Sequence, residues 1–381
     1  MPLHDSDQCA AVRLRYIEPM ERRSFLAALA AFRLAGQSLK LKIPSELRRY
    51  SDPTTELDVF RLTDPEHASI LPAWYNRAVA RNSASLLFSS DRTGSMQAFR
   101  MDLKSGEAHQ ITEAADLDPS SLTFTPDNRS CVYFAGRSLF IAGLSSFRER
   151  ELYRVPEGWE RAHGMSVGPD GTHATFAEQR ESNSRLRMIS LGQGVARTVL
   201  ESPSAMAHPI HRPMRAQILY RQGENALWLV NSDGQQNRQL KIAGGRVLDP
   251  NWSNDGKTVL YLNYPEDTKQ LHAIRELAPD ANTDKLVAKT SQFASFAFNR
   301  DAAVFAGASA NKGSPYVLLL LRVTQRERTI CEHRATDPES VTLTFSPDSQ
   351  RVYFQSDREG KPAIYSLHVE KLVEKTDDGQ L

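Results

Sequence analysis

One phrase constrains this chain more than any other. A short polar turn precedes a three-residue apolar strand that ends in an aromatic, and the phrase is written seven times. The copies are Leu86-Leu87-Phe88, Val132-Tyr133-Phe134, Ala174-Thr175-Phe176, Ile218-Leu219-Tyr220, Val259-Leu260-Tyr261, Ala303-Val304-Phe305 and Val352-Tyr353-Phe354, with successive aromatics 41 to 49 residues apart. The preceding turns are also alike, as in Thr125-Pro126-Asp127, Gly168-Pro169-Asp170-Gly171, Asn254-Asp255-Gly256 and Ser346-Pro347-Asp348. Self-similarity at this period is the mark of a β-propeller, in which each repeat is one four-stranded blade that buries its faces only against its neighbours. Seven copies predict an all-β, seven-bladed β-propeller.

The two ends of the chain predict how the ring closes. The seventh copy supplies Ala363-Ile364-Tyr365-Ser366-Leu367 and then no final strand, while Val59-Phe60-Arg61-Leu62-Thr63 stands alone at the front. Residues 57–63 are therefore expected as the outermost strand of blade seven. Such a closing strand removes an open sheet edge, which would otherwise invite pairing with another chain.

The repeats run without a linker, so residues 46–372 read as one propeller domain, followed by a polar tail over 373–381. Residues 1–45 read as a leader. Met20-Glu21-Arg22-Arg23-Ser24-Phe25-Leu26 and the alanine-rich run after it have the form of a twin-arginine export signal, which would make the protein periplasmic. The alternative is an amphipathic helix on a cytoplasmic protein. Lys and Arg number 47 against 46 Asp and Glu, a net charge of +1, so nothing in the overall charge argues for nucleic acid. No run reaches the roughly 18 apolar residues of a spanning helix. Cys131 and Cys331 fall in strand phrases and read as small buried hydrophobes; Cys9 lies in the leader. No Gly-x-Ser-x-Gly nucleophile phrase is present.

Propeller ligands sit over the central channel, on residues just ahead of each innermost strand. By repeat phase those positions hold Asn76, Arg77, His163, His208, Asp249 and Gln292, with Ser295, Ser340 and Thr342 further on. His163, His208 and Asp249 are the candidate catalytic groups. Arg77, Arg212, Asn76 and Gln292 are the candidate substrate contacts. Two histidines and a carboxylate also make a chemically sensible metal set. Each has a structural alternative: His208 and Arg212 precede prolines and can bond carbonyls between blades, and Asp249 can be an inter-blade hydrogen-bond partner. Trp74, Tyr75 and Trp159 are either sugar-stacking platforms or core.

A further set of phrases, in order, is Arg61-Leu62-Thr63, Met101-Asp102-Leu103-Lys104-Ser105-Gly106, His208-Pro209-Ile210-His211-Arg212-Pro213, Leu227-Trp228-Leu229-Val230-Asn231-Ser232-Asp233-Gly234, Phe345-Ser346-Pro347-Asp348 and Phe354-Gln355-Ser356-Asp357. This set resembles the oligogalacturonate lyases over nearly the whole propeller. The resemblance implies a seven-bladed enzyme that cleaves short pectin fragments by β-elimination with a metal, typically manganese. It also implies that the family's metal ligands, three histidines and a glutamine of blades six and seven, fall here at Ser295, Ser340, Thr342 and Asp337, none of which replaces imidazole well. The family's catalytic histidine of blade five falls at Asp249, and its substrate arginine before the Trp-Leu phrase at Ala226. Two functions follow: a lyase with an altered site acting on an acidic, uronate-containing oligosaccharide, or a non-catalytic TolB- or WD40-like propeller holding a glycan or protein. No metal is assigned.

Overall fold

The computed structural model describes residues 40–223, 225–311 and 313–373. Among them the strands form seven antiparallel sheets, one per blade. The aromatic of every phrase lies in the second strand of its blade: Ser85–Ser90, Ser130–Ala135, His173–Arg180, Gln217–Gln222, Val259–Tyr264, Val304–Ser309 and Arg351–Ser356. The aromatics that end the phrases are 0 % exposed in all seven blades. Their strands are apolar on both faces because each blade is covered by a neighbour on either side.

The core is divided accordingly. Seven apolar clusters each join one blade to the next. Phe134 of blade two meets Phe176 of blade three edge-on at 4.8 Å, and Tyr353 and Ile364 of blade seven pack with Phe88 and Phe99 of blade one to close the ring. Each such ring, once buried, contributes about 1.5–3 kcal/mol relative to exposure. The polar turns recur for a separate reason. Thr125, Ser253 and Ser346 each donate a side-chain hydroxyl to the aspartate two residues on, and each accepts from the backbone N–H five residues on. A Ser/Thr-x-Asp turn thus fixes the step from the inner strand to the aromatic strand in three blades.

Asp58–Arg61 pairs with Ala363–His368, in the register Val59 to Leu367 and Arg61 to Tyr365, so the front strand does join blade seven. It is not the outermost strand. Arg48–Ser51 adds outside it, with Tyr50 opposite Val59. Lys42–Ile43 pairs with Ala108–Gln110 on the outer edge of blade one, so the last residues of the expected 1–45 leader are sheet. Both strands were illegible because they cover edges: Arg48-Arg49-Tyr50-Ser51 is polar and lacks alternation, as edge strands often do. The twin-arginine phrase lies outside the described residues, as does the tail beyond the short helix Glu370–Val373.

Candidate functional site

The inner strands of the blades run from one face of the propeller to the other, and their first halves are irregular. Pairing slips between Arg161 and Met165 in blade three, between Ala207 and Ile210 in blade four, and between Leu248 and Asn251 in blade five. Each slip is a bulge containing a left-handed residue: Gly164 (φ +91°), His208 (φ +48°) and Asp249 (φ +47°). Gln292, just ahead of the inner strand of blade six, is also left-handed (φ +59°). Left-handed backbone disfavours residues with a side chain, although Asp and His tolerate it better than most, and bulges commonly re-aim side chains beside active sites. Four candidates from the sequence therefore sit on or beside strained backbone: His208, Asp249, Gln292 and His163, the neighbour of Gly164.

A loop from blade one crosses the channel to meet them. Between Ser69–Ile70 and the bridge from Val79 to Leu86, the chain carries Trp74 and Tyr75 inward. Trp74 Nε1 donates to the Pro250 carbonyl in blade five (3.1 Å), and Asn251 Nδ2 donates back to the Trp74 carbonyl (3.4 Å). The Trp74 ring lies 5.4 Å from the His208 ring, and the exposed His163 ring runs nearly parallel to His208 at 6.3 Å. Gly164 is required for this packing, because a Cβ there would stand 2.6 Å from both His208 Cα and the Tyr75 hydroxyl.

The hydrogen bonds of Tyr75 set the state of His208. Its hydroxyl accepts from the Met165 backbone N–H and lies 3.3 Å from His208 Nδ1. Burial pushes the phenol well above its usual range, so Tyr75 keeps its proton. In the Nε2–H tautomer of neutral His208 the Nδ1 lone pair accepts that proton's hydrogen bond. Burial, then the charges of Arg221 and His163, pull His208 down to about 4, so the neutral form persists at pH 7. His208 is thereby a donor rather than a base.

Asp249 has the opposite character. Burial pushes its carboxyl up to about 7, against the Phe296 backbone N–H at 3.3 Å and the nearby Arg221 charge, which favour ionisation. A carboxyl poised near neutrality suits proton transfer. Arg221 is a charge neighbour of His208, Asp249 and Tyr75, and its Nε is buried without a hydrogen-bond partner. Sequence reading missed Arg221, although a signal existed. The residue after the repeated aromatic is Ser89, Ala135, Ala177, Leu262, Ala306 or Gln355 in the other blades, and only blade four has a charge there.

The remaining candidates lie elsewhere. Arg212 is fully buried: it donates to the Gly256 carbonyl, to Gln217 and through two bonds to Asp280, and its guanidinium lies 4.9 Å from the Trp252 ring. It ties blade four to blade five at the far end of the strand and has no face for substrate. Asn76 spends its side-chain N–H on the Ser120 carbonyl (2.9 Å), anchoring the crossing loop to blade two. Arg77 lies on the far side of Trp74, with Arg81 as its charged neighbour. Like His163, His208 and Arg221, Gln292 lines neither channel cavity; unlike them, among the described residues its side chain makes no ring contact, hydrogen bond or charge interaction with Trp74, Tyr75, His208 or Asp249. Trp159 is core, with Arg185 stacked 3.8 Å from its ring.

Above the loop lies a cavity of about 350 Å³, lined by Trp74, Asp118, Asp249, Ser295, Glu339 and Thr342, among others. Glu339 and Arg246 of blade five clasp each other there through two bonds of 2.7 Å. The positions at which the resemblance puts a manganese site do not fit a metal. Ser295 Oγ donates to the Val341 carbonyl, Ser340 Oγ donates to the Asp337 carbonyl, and the Asp337 carboxylate caps the Glu339 N–H. Among the described residues no three His, Cys, Asp or Glu side chains cluster as a metal set, so His163, His208 and Asp249 do not make one either.

Residues 38–182 match the oligogalacturonate lyase family, and residues 216–375 match the TolB beta propeller domain. An oligogalacturonide lyase of Pectobacterium atrosepticum is 24% identical over 378 residues, covering 86% of this chain and 97% of the relative. An oligogalacturonate lyase of Dickeya dadantii is 22% identical over the same shares. Among solved structures, an oligogalacturonate lyase in complex with manganese superposes with a TM-score of 0.83 at 22% identity, covering 88% of this chain and 99% of the other. One from Vibrio parahaemolyticus gives 0.81 at 21%, covering 88% and 100%. The fold of this chain is that of both solved structures.

Proposed function

We propose that this oligogalacturonate-lyase-like propeller acts on uronate-containing oligosaccharides by β-elimination, at a site rebuilt around Asp249. The observation that carries the reading is the carboxyl of Asp249, held near neutrality on a left-handed bulge beside Arg221. β-Elimination removes the proton next to the uronate carboxylate and expels the oxygen on the adjacent carbon. Ionised Asp249 takes that proton. Arg221, whose buried Nε has a donor to spare, offsets the charge that builds on the carboxylate. His208, held as the Nε2–H tautomer, offers a neutral donor to the same group or to the departing oxygen. Because Ser295 and Ser340 are already bonded to carbonyls, no step is assigned to a metal.

The test is ultraviolet absorbance of the 4,5-unsaturated uronate product over a panel of uronate oligosaccharides, with and without added manganese. The expected result is product that needs no manganese, with a rate rising as pH passes through about 7 and lost in Asp249→Asn. A binding propeller is the second reading. It draws on Trp74, whose bond to Pro250 bars the channel, and on the Arg246–Glu339 pair, which satisfies itself. Saturable binding of the same oligosaccharides with no unsaturated product would favour it.

A further inference from the structure

Below Trp74 the channel opens again into a cavity of about 780 Å³ that reaches the opposite face, where the turns after the inner strands gather. Its charge is one-sided. Arg77, Arg81 and Arg300 line it, from the end of the crossing loop of blade one, the turn after the Val79 bridge and the turn of blade six, and its one lining carboxylate is Asp249 at the upper end. Among the described residues no carboxylate lies within ion-pair distance of any of the three guanidinium groups. His211 lines the same wall, and its Nε2 is buried with no hydrogen-bond partner. Asn254 and Ser346 stand nearby at the mouth.

Several other arginines are instead paired with a carboxylate. Arg212 meets Asp280, Arg246 meets Glu339, Arg185 meets Glu178 and Arg61 meets Glu359. Arg77 and Arg81 repel each other, and three cations without a carboxylate partner on one concave wall focus a positive potential that an anion relieves. Arg77 carries the sign of that repulsion: burial, then the charge of Arg81, pull it down to about 10. We propose that this lower chamber, which meets the bulge of blade five at Asp249, holds a second site at its opposite end and that it binds a small multivalent oxyanion through Arg77, Arg81 and Arg300. Carboxylates and phosphates share the chemistry that a guanidinium fork recognises.

The experiment titrates the full chain with citrate and, separately, inorganic pyrophosphate, followed by calorimetry. One-to-one binding of at least one of them is expected, weakening with added salt as exposed charge pairs do. Citrate alone would identify carboxylate recognition, and pyrophosphate alone would identify phosphate recognition. Affinity should fall about tenfold or more in Arg77→Gln and also in Arg300→Gln, as the loss of a charge-assisted contact implies. Arg300 is exposed, so its variant leaves the fold intact. His208→Asn, above the loop, should leave affinity unchanged. The proposal is overturned if neither anion binds, if both arginine variants bind as the wild type does, or if affinity falls only in His208→Asn.

Discussion

His208 and Arg212 stand four residues apart on one inner strand, in one phrase of the sequence, and they do opposite things. His208 sits on left-handed backbone, half-buried, with Tyr75 as its one side-chain hydrogen-bond partner. Arg212 sits past the regular end of the strand, buried and bonded to three neighbours. The upper end of the strand holds strain and unspent donors, while the lower end is a filled joint between blades. Strain and unmet valence are what a site requires; satisfaction is what a joint requires.

The sharpest test of that contrast is Arg212→Ala. It should destabilise the protein by about 3 kcal/mol, the low end for breaking a buried pair, because Asp280 is half exposed and hydrates once released. Denaturant unfolding measures this, and oligosaccharide affinity of the folded protein should not change. An affinity loss at unchanged stability would reverse the assignment.

Asp249→Asn should act in the other direction. A carboxyl raised to about 7 in the folded state, against an ordinary value near 4 unfolded, contributes stability below about pH 4 and loses it as pH rises through about 7. The amide escapes that loss, so the variant should be more stable than the wild type by about 2 kcal/mol at pH 8, after discounting for partial exposure, with the gap closing towards pH 4. His208 runs the opposite way. Depressed to about 4 from 6.5, it contributes stability above about pH 6.5 and loses it as pH falls through about 4. His208→Asn should therefore flatten the acid limb of the same curve. Stability that is unmoved by Asp249→Asn at pH 8 would break the picture of a frustrated carboxyl.

Gly164→Ala probes the bulge itself. Its φ of +91° and the 2.6 Å approach of a new Cβ to the His208 backbone should cost about 1–2 kcal/mol and disturb His208 enough to lower turnover. The smallest effect expected is that of Trp74→Phe, which removes the bond to the Pro250 carbonyl and should cost about 1 kcal/mol. Comparing ligand on-rates between this variant and the wild type shows whether the loop gates the channel.

Much of this could be read along the chain. The seven aromatic phrases gave blade number and strand phase, because an apolar strand covered on both sides must be written in consecutive residues. The inner-strand phase located His163, His208 and Asp249. The edge strands Lys42–Ile43 and Arg48–Ser51 escaped notice because an edge needs only backbone pairing, which no side-chain pattern encodes. Arg221 was overlooked although it breaks the repeat, since a lone charge beside an aromatic also reads as a solvated strand end.

The residue types alone determined a ring of seven blades and which strand starts face its axis, since periodicity is a local property that survives translation into structure. Which of those residues cooperate was decided only by tertiary packing. The loop bearing Trp74 and Tyr75 reaches across the axis to blades three, four and five, fixing the proton of His208 and dividing the channel. Contacts between residues more than a hundred positions apart depend on how strained backbone aims each side chain, and that aim is set by the neighbouring blade rather than by the residue's own segment.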